Sequence, residues 1–104
     1  MAVDYEALGM RVWQQRKMRK MTQGELAEKV GVSTSFIGHI ERGEKKASLE
    51  TLVALCNAMG LAPSTLLQDS LSDEVMKNQL QFDKNNEDLV TRMIGLVREH
   101  TDFN

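Results

Sequence analysis

The sequence predicts an all-α protein: a five-helix bundle followed by a helical C-terminal extension. Apolar residues recur at spacings of three and four along most of the 104 residues, and no segment alternates between apolar and polar as a strand would. The chain holds one proline and seven glycines, so few positions interrupt a helix. Its length suits one domain with a modest core, which excludes large multi-domain enzymes.

The first two helices of the bundle have recognisable boundaries. Helix one is expected from about Tyr5 to Arg19. Helix two opens at residues 22–25, Thr-Gln-Gly-Glu, where the threonine hydroxyl and the glutamate carboxylate can each accept a hydrogen bond from the other residue's backbone amide. We expect helix two to close at Gly31, because a glycine after an amphipathic stretch commonly ends a helix in the left-handed conformation.

Capping residues mark the three remaining helices of the bundle. Helix three is expected over residues 33–42 and helix four over 48–59, each opening on a serine that can cap its first turn. A short helix five starts at Pro63, whose fixed φ suits a first turn. Two further glycines follow these stretches and are predicted to end them in the same way as Gly31: Gly43 and Gly60.

The C-terminal third differs in composition. Beyond residue 69 the chain is rich in glutamine, asparagine and aspartate, and one more amphipathic segment runs from about Asn86 to Glu99. We therefore assign residues 1–69 to the bundle and 70–104 to a helical extension. The amphipathic segment carries an apolar stripe that a solitary helix could not leave in water. The stripe consists of Leu89, Val90, Met93, Ile94 and Val97.

Two arrangements would cover this stripe. The extension could fold back on helix one, where Met10 and Trp13 lie away from the apolar side. Alternatively it could pair with a second copy of the chain and form a symmetric dimer. We expect the homodimer, so the stripe is the predicted dimerisation surface.

Charge is distributed unevenly along the chain. Residues 1–47 contain nine Lys/Arg and six Asp/Glu, a net charge of +3, whereas residues 48–104 contain four and nine, a net charge of −5. An anionic partner would therefore meet the first half of the chain. The acidic second half would point away from such a partner.

Several classes of function find no support in the composition. The longest uninterrupted apolar run is residues 53–56, far short of the roughly 20 residues of a membrane helix, and the start lacks the pattern of a secretory signal. We expect a cytoplasmic protein without a membrane partner. One cysteine, Cys56, and two histidines offer no disulfide and no metal-site spacing. No catalytic constellation is recognisable, so neither an enzyme nor a cofactor is expected.

Helix three divides into two nearly opposite sides on a helical wheel. Ser33, Phe36, Ile37 and Ile40 form the apolar side. Thr34, Ser35, Gly38, His39 and Arg42 form the polar side. Small residues on this side would permit close approach to a groove of DNA. On the wheel alone, the simpler interpretation is that this side faces water.

The stretch from Thr22 to Gly43 has the length of a helix-turn-helix. Together with its surroundings it resembles the Cro/repressor-type helix-turn-helix family, also called the Xre family, over about residues 8–67. The matching positions are Leu8-Gly9, Arg11-Val12, Arg16, Met21-Thr22-Gln23, Leu26-Ala27, Val30-Gly31-Val32-Ser33, Ile37, Ile40-Glu41-Arg42-Gly43, Ser48, Leu52 and Leu66-Leu67. The resemblance implies a lambda-repressor-like bundle that binds double-stranded DNA, with helix three in the major groove and helix two across the backbone.

The resemblance also implies roles for individual residues. Thr34, Ser35 and His39 would approach base edges, while Gly38 would offer only a close approach of the backbone. Gln23 would contact a phosphate at the start of helix two. By their positions at the ends of helices one and three, Lys17, Lys20, Lys45 and Lys46 are further candidate phosphate contacts, with plain solubility as the alternative. Arg42 is also expected to contact a phosphate.

Three positions concern stability rather than DNA. Arg16 lies on the apolar stripe of helix one, where a buried charge needs a partner, and we expect Glu41 to be that partner. The resemblance implies the same pair. The family usually has a glycine where Lys20 stands, so a left-handed Lys20 would cost about 1 kcal/mol. It also usually has an apolar residue where Gln15 stands.

The combined interpretation is a sequence-specific transcriptional regulator, most simply a repressor that acts as a homodimer on a palindromic operator in the nucleoid. The alternative is an antitoxin or other protein-interaction module whose acidic extension binds a regulatory partner protein.

Overall fold

The computed structural model describes residues 2–81 and 84. The described part is all-α, with no strand, as the sequence predicts. The helices of the first 71 residues are α1 (Tyr5–Met18), α2 (Gln23–Val30), α3 (Thr34–Glu41), α4 (Leu49–Met59) and α5 (Pro63–Leu67). By its contacts the chain divides into two compact units, Met1–Leu71 and Ser72–Asn104.

Side-chain caps start the first four helices. The Thr22–Glu25 capping box that the sequence predicts is present: Glu25 N donates to Thr22 Oγ1 over 3.0 Å, and Thr22 N donates to Glu25 Oε1 over 3.3 Å. Ser33 and Ser48 cap α3 and α4 in the same way, each accepting from the amide three residues on. Asp4, which the sequence analysis did not single out, caps α1.

Left-handed residues end the helices where the glycines predict. Gly31, Gly43 and Gly60 have φ of 82°, 73° and 65°. Lys20, after α1, has a φ of 55° and is the one residue other than glycine with positive φ in the described chain. Lys20 is therefore left-handed at the position where the family usually has glycine, and its cost of about 1 kcal/mol stays a prediction.

The apolar faces of the five helices meet in one core. Its buried members are Leu8, Val12, Leu26, Ala27, Ile37, Ile40, Leu52, Leu55, Cys56, Met59 and Leu66. α3 contributes Ile37 and Ile40, which expose 0% and 1% of their surface. Gly9 permits this packing, because a Cβ there would overlap the carbonyl oxygens of Ile40 and Glu41. The end of α3 is therefore seated directly on the backbone of α1.

Two polar contacts join α1 to the residues after α5. Arg11 donates to both carboxylate oxygens of Asp69, over 2.9 Å and 3.0 Å. The Ser70 hydroxyl accepts from Asp4 N over 2.9 Å. The hydrogen bond from Arg11 lowers the pKa of Asp69 and the same bond raises the pKa of Arg11. These pairs, distant in sequence, were not predicted.

The second unit begins with a helical segment over residues 73–81. Ser72 caps it, accepting from Val75 N over 3.2 Å at its hydroxyl and from Met76 N over 3.1 Å at its carbonyl. This segment lies within the helical extension predicted over residues 70–104, whereas the strong amphipathic stretch predicted at 86–99 lies outside the described residues. All five residues of the predicted dimerisation stripe lie outside the described residues. No helix in the described part has the length and apolar character to cross a membrane.

Replacing Lys20 by glycine tests the strain at the α1–α2 connection. Lys20→Gly should raise the free energy of unfolding by about 1 kcal/mol, because glycine adopts a positive φ without penalty. Lys17→Gly, in the last turn of α1, should lower it by about 1 kcal/mol. Urea denaturation measures both. Equal loss of stability in the two variants would contradict the strain at Lys20.

Candidate nucleic-acid interface

α2 and α3 form two short helices joined by the three residues 31–33. Gly31 sets the change of direction: its amide donates to Ala27 O over 2.8 Å, and the Val32 amide donates to the same oxygen over 3.1 Å. No atom lies within 4 Å of the place where a Gly31 side chain would start. The left-handed backbone, and not crowding, therefore explains the glycine.

One side of α3 is available to a ligand. Ile37 and Ile40 face the core, while Thr34 and Ser35 are exposed. The His39 side chain is 35% exposed. These three residues, which the resemblance implies would approach base edges, therefore lie at or near the surface of one helix.

Gly38 differs from this expectation. It is buried, and a Cβ built on it would lie 3.0 Å from Nη1 of Arg42. The Arg42 side chain thus lies over the Gly38 backbone and covers it. The close backbone approach that the resemblance implies at Gly38 is blocked in this conformation, because Arg42 occupies that space.

His39 and Arg42 converge on a residue that the sequence analysis did not single out, Glu44. His39 Nδ1 lies 2.6 Å from Glu44 Oε2, and Arg42 Nε donates to Glu44 Oε1 over 2.8 Å. The left-handed Gly43 reverses the chain so that the Glu44 amide donates back to His39 O over 2.9 Å. The hydrogen bond from Arg42, followed by that from His39, lowers the pKa of Glu44 to about 2. Glu44 is therefore ionised at neutral pH.

A buried ion pair lies behind this surface. Arg16 donates to Glu41 through Nε over 2.6 Å and through Nη2 over 3.0 Å, with the two side chains 6% and 3% exposed. Arg16 Nη1 also donates to Met21 O over 2.8 Å. Gln23 Nε2 donates to Glu41 Oε1 over 2.9 Å. The amide that the resemblance assigns to a phosphate thus holds Glu41, and its phosphate contact stays a prediction.

The remaining basic side chains flank the two helices. Lys17 and Lys20 are exposed beside the start of α2 and line an open groove there with Gln23. Lys45 Nζ lies 5.9 Å from the centre of the Phe36 ring, and Lys46 Nζ lies 5.4 Å from that of Tyr5. Attraction between an ammonium and an aromatic face holds both lysines close to the bundle. No group of His, Cys, Asp or Glu within the described chain could hold a metal ion.

Gln15 stands where the family usually has an apolar residue, and its hydrogen bonds explain the difference. Arg19 Nη1 donates to Gln15 Oε1 over 2.7 Å and to Gln15 O over 2.9 Å. Arg19 Nε then donates to Met59 O over 2.9 Å, at the end of α4. A polar residue at Gln15 therefore orients an arginine that joins α1 to α4.

The bundle and the α2–turn–α3 unit define the chain as a helix-turn-helix protein. A family described as helix-turn-helix matches residues 14–66, and the chain belongs to it. The resemblance to Cro/repressor-type proteins is confirmed by this match and by the relatives of the chain.

Two relatives and one solved structure illustrate the similarity. The chain is 34% identical over 87 residues to the immunity repressor protein of Bacillus phage phi105, covering 83% of this chain and 59% of the repressor. It is 33% identical over 70 residues to the control protein C.SmaI of Serratia marcescens, covering 66% and 83%. The P22 c2 repressor in complex with a synthetic operator matches with a TM-score of 0.56 and 38% identity, covering 58% and 91%. The chain thus spans about three fifths of the phi105 repressor.

Removing one member of the buried pair tests its contribution. Arg16→Met should lower the free energy of unfolding by about 3–5 kcal/mol, because Glu41 would stay buried without its cation. The double variant Arg16→Met/Glu41→Leu should lose much less. Arg11→Met, which breaks the exposed pair with Asp69, is the control and should cost about 1 kcal/mol or less. Equal losses for Arg16→Met and Arg11→Met in urea denaturation would contradict this role.

Proposed function

We propose that this protein is a sequence-specific, double-stranded-DNA-binding transcriptional regulator. The observation that carries the proposal is the exposed polar side of α3 in a helix-turn-helix whose second helix is fixed on the core. Relatives support it: one is named an immunity repressor and another a control protein, and the similar P22 repressor is solved with an operator. Repression by covering a promoter is the simplest mechanism.

Base reading is assigned to three side chains of α3. Thr34 and Ser35 each carry a hydroxyl that donates and accepts, so each is compatible with more than one base pair. His39 has the longest side chain of the three, and its two ring nitrogens form hydrogen bonds in fixed directions. Gly38 is not assigned to base reading, because the Arg42 side chain covers it.

Phosphate binding is assigned to residues around α2 and α3. Lys17 and Lys20 at one end, and Lys45 and Lys46 at the other, place ammonium groups on both sides of the helix-turn-helix. Arg42 and Gln23 would contribute while keeping their bonds to Glu44 and Glu41, because a guanidinium and an amide each carry further N–H donors. Lysines therefore supply most of the charge that displaces counterions.

We assign residues 70–104 to homodimer formation. A symmetric dimer would present two α3 helices about 34 Å apart, one turn of DNA, and would match a palindromic operator. The net charge of −5 over residues 48–104 supports a position of the extension away from phosphates. The cytoplasm, at the nucleoid, is the proposed place of action.

Selection from random duplex DNA followed by a triple substitution tests the reading surface. Thr34→Ala/Ser35→Ala/His39→Ala should retain the fold and bind the selected operator at least tenfold more weakly, because specific contacts to base edges are each worth about 1–3 kcal/mol. Binding to unrelated duplex should change little, since that depends on phosphate contacts. Competition titrations measure the ratio of the two affinities.

The matched control for this test is Val53→Ala/Asn57→Ala on the exposed side of α4. It should leave the ratio of affinities unchanged. An unchanged ratio in the triple variant would refute the reading surface. If the unaltered protein bound no duplex at any salt concentration, it would be a protein-interaction module instead.

Shortening the chain tests the extension. The core lies between Leu8 and Leu66, inside the first compact unit, so a chain of residues 1–71 should fold. It should sediment as a monomer and bind the operator far more weakly than the full chain, because one half-site then acts alone. Analytical ultracentrifugation measures the oligomeric state. A dimer of the shortened chain would move the interface into the bundle.

A further inference from the structure

We propose that Glu44 is a specificity-determining residue: it holds the His39 ring so that Nε2 presents a lone pair to the amino group of an adenine or a cytosine. This inference rests on the proposed function, because it concerns how the same surface distinguishes bases. Neither the family resemblance nor the relatives assign a role to Glu44.

The position of one proton follows from the chemistry of the pair. Glu44 Oε2 lies 2.6 Å from His39 Nδ1, a short hydrogen-bond distance. An ionised carboxylate can only accept, so the proton of this bond belongs to Nδ1. In the neutral form of the ring, which is part of this proposal, that proton is the only one and Nε2 keeps its lone pair. Glu44 therefore selects the tautomer of His39.

The carboxylate is itself held in place. Arg42 Nε donates to Glu44 Oε1 over 2.8 Å, and the Glu44 amide donates to His39 O over 2.9 Å. Arg42 Nη2 lies 3.5 Å from His39 Nδ1 and 3.4 Å from Glu44 Oε2. Since both nitrogens are donors, the shared carboxylate is what joins them. Arg42 and the His39 carbonyl thus hold Glu44, and the Glu44 carboxylate fixes the His39 ring at Nδ1.

The other charges nearby leave this pairing intact. Glu41, three residues before Glu44, is directed into the core and is occupied by Arg16. The Lys45 ammonium lies over the Phe36 ring. Arg42 and Glu44 are therefore the charged groups that the structure places against His39.

A lone pair at Nε2 distinguishes bases by their major-groove edges. Adenine N6 and cytosine N4 are the only donors there, whereas guanine and thymine offer acceptors. At the base nearest to His39, an amino base should be favoured and a keto base disfavoured by repulsion between acceptors. The lone pair does not separate adenine from cytosine.

Competition binding with the full chain and single-base variants of the selected operator tests this inference. At one position in each half-site, adenine or cytosine should be preferred over guanine or thymine by about tenfold, a typical value for one good contact. Glu44→Gln should abolish this preference at that position only, because an amide can donate as well as accept. His39→Ala should abolish the same preference, and the double variant should lose no more than either single one.

The control is Glu28→Gln, which removes the same charge from the exposed side of α2. Both glutamine variants should bind unrelated duplex slightly better, since each removes a negative charge, but only Glu44→Gln should lose the base preference. Circular dichroism should show the native helix content for both.

Three other outcomes of the competition experiment would overturn the inference, and they differ in whether the proposed function survives. Full base preference in Glu44→Gln would overturn the inference and leave the proposed function standing. A preference for guanine or thymine that His39→Ala removes would overturn the assigned proton. Equal binding of all duplexes by the unaltered protein would refute the proposed function, and the inference with it.

Discussion

The buried contact between Arg16 and Glu41 fixes the position of α3, the helix whose exposed side we propose reads DNA. These two side chains, with the amide of Gln23, join α1, the start of α2 and the end of α3 through hydrogen bonds of 2.6–3.0 Å. Buried charges are costly unless every polar atom is satisfied. Within the described part of the chain, no buried side-chain nitrogen or oxygen lacks a partner. The position of α3 relative to its neighbours is therefore specified by directional bonds as well as by apolar packing.

Local features of the sequence predicted most of the fold. Thr22 with Glu25, and the serines at 33 and 48, mark helix starts because a cap depends only on residues three apart. Gly31, Gly43 and Gly60 mark helix ends because a left-handed residue is a local requirement. Contacts across long stretches of chain were not accessible in this way. The bond between Arg11 and Asp69 spans 58 residues, and nothing in either sequence neighbourhood indicates the other.

The candidate site was predicted in outline and missed in detail. The exposure of Thr34 and Ser35 follows from helical periodicity, which needs only the spacing of residues. The burial of Gly38 depends on where the flexible Arg42 side chain lies, and the role of Glu44 depends on the turn at Gly43. A wheel drawn for α3 alone ends before that turn. Glu44, which bonds to His39 and Arg42, therefore lies just outside the segment that periodicity describes.

Gly9, in the first helix, affects the proposed reading surface of α3 without belonging to it. It has no side chain to offer a ligand, yet the carbonyls of Ile40 and Glu41 occupy the space that any side chain there would need. A substitution at Gly9 must push away the end of α3, together with His39 and the turn that follows. Random mutagenesis scored by loss of the proposed regulation would consequently recover substitutions at Gly9. They would appear alongside substitutions on the exposed side of α3.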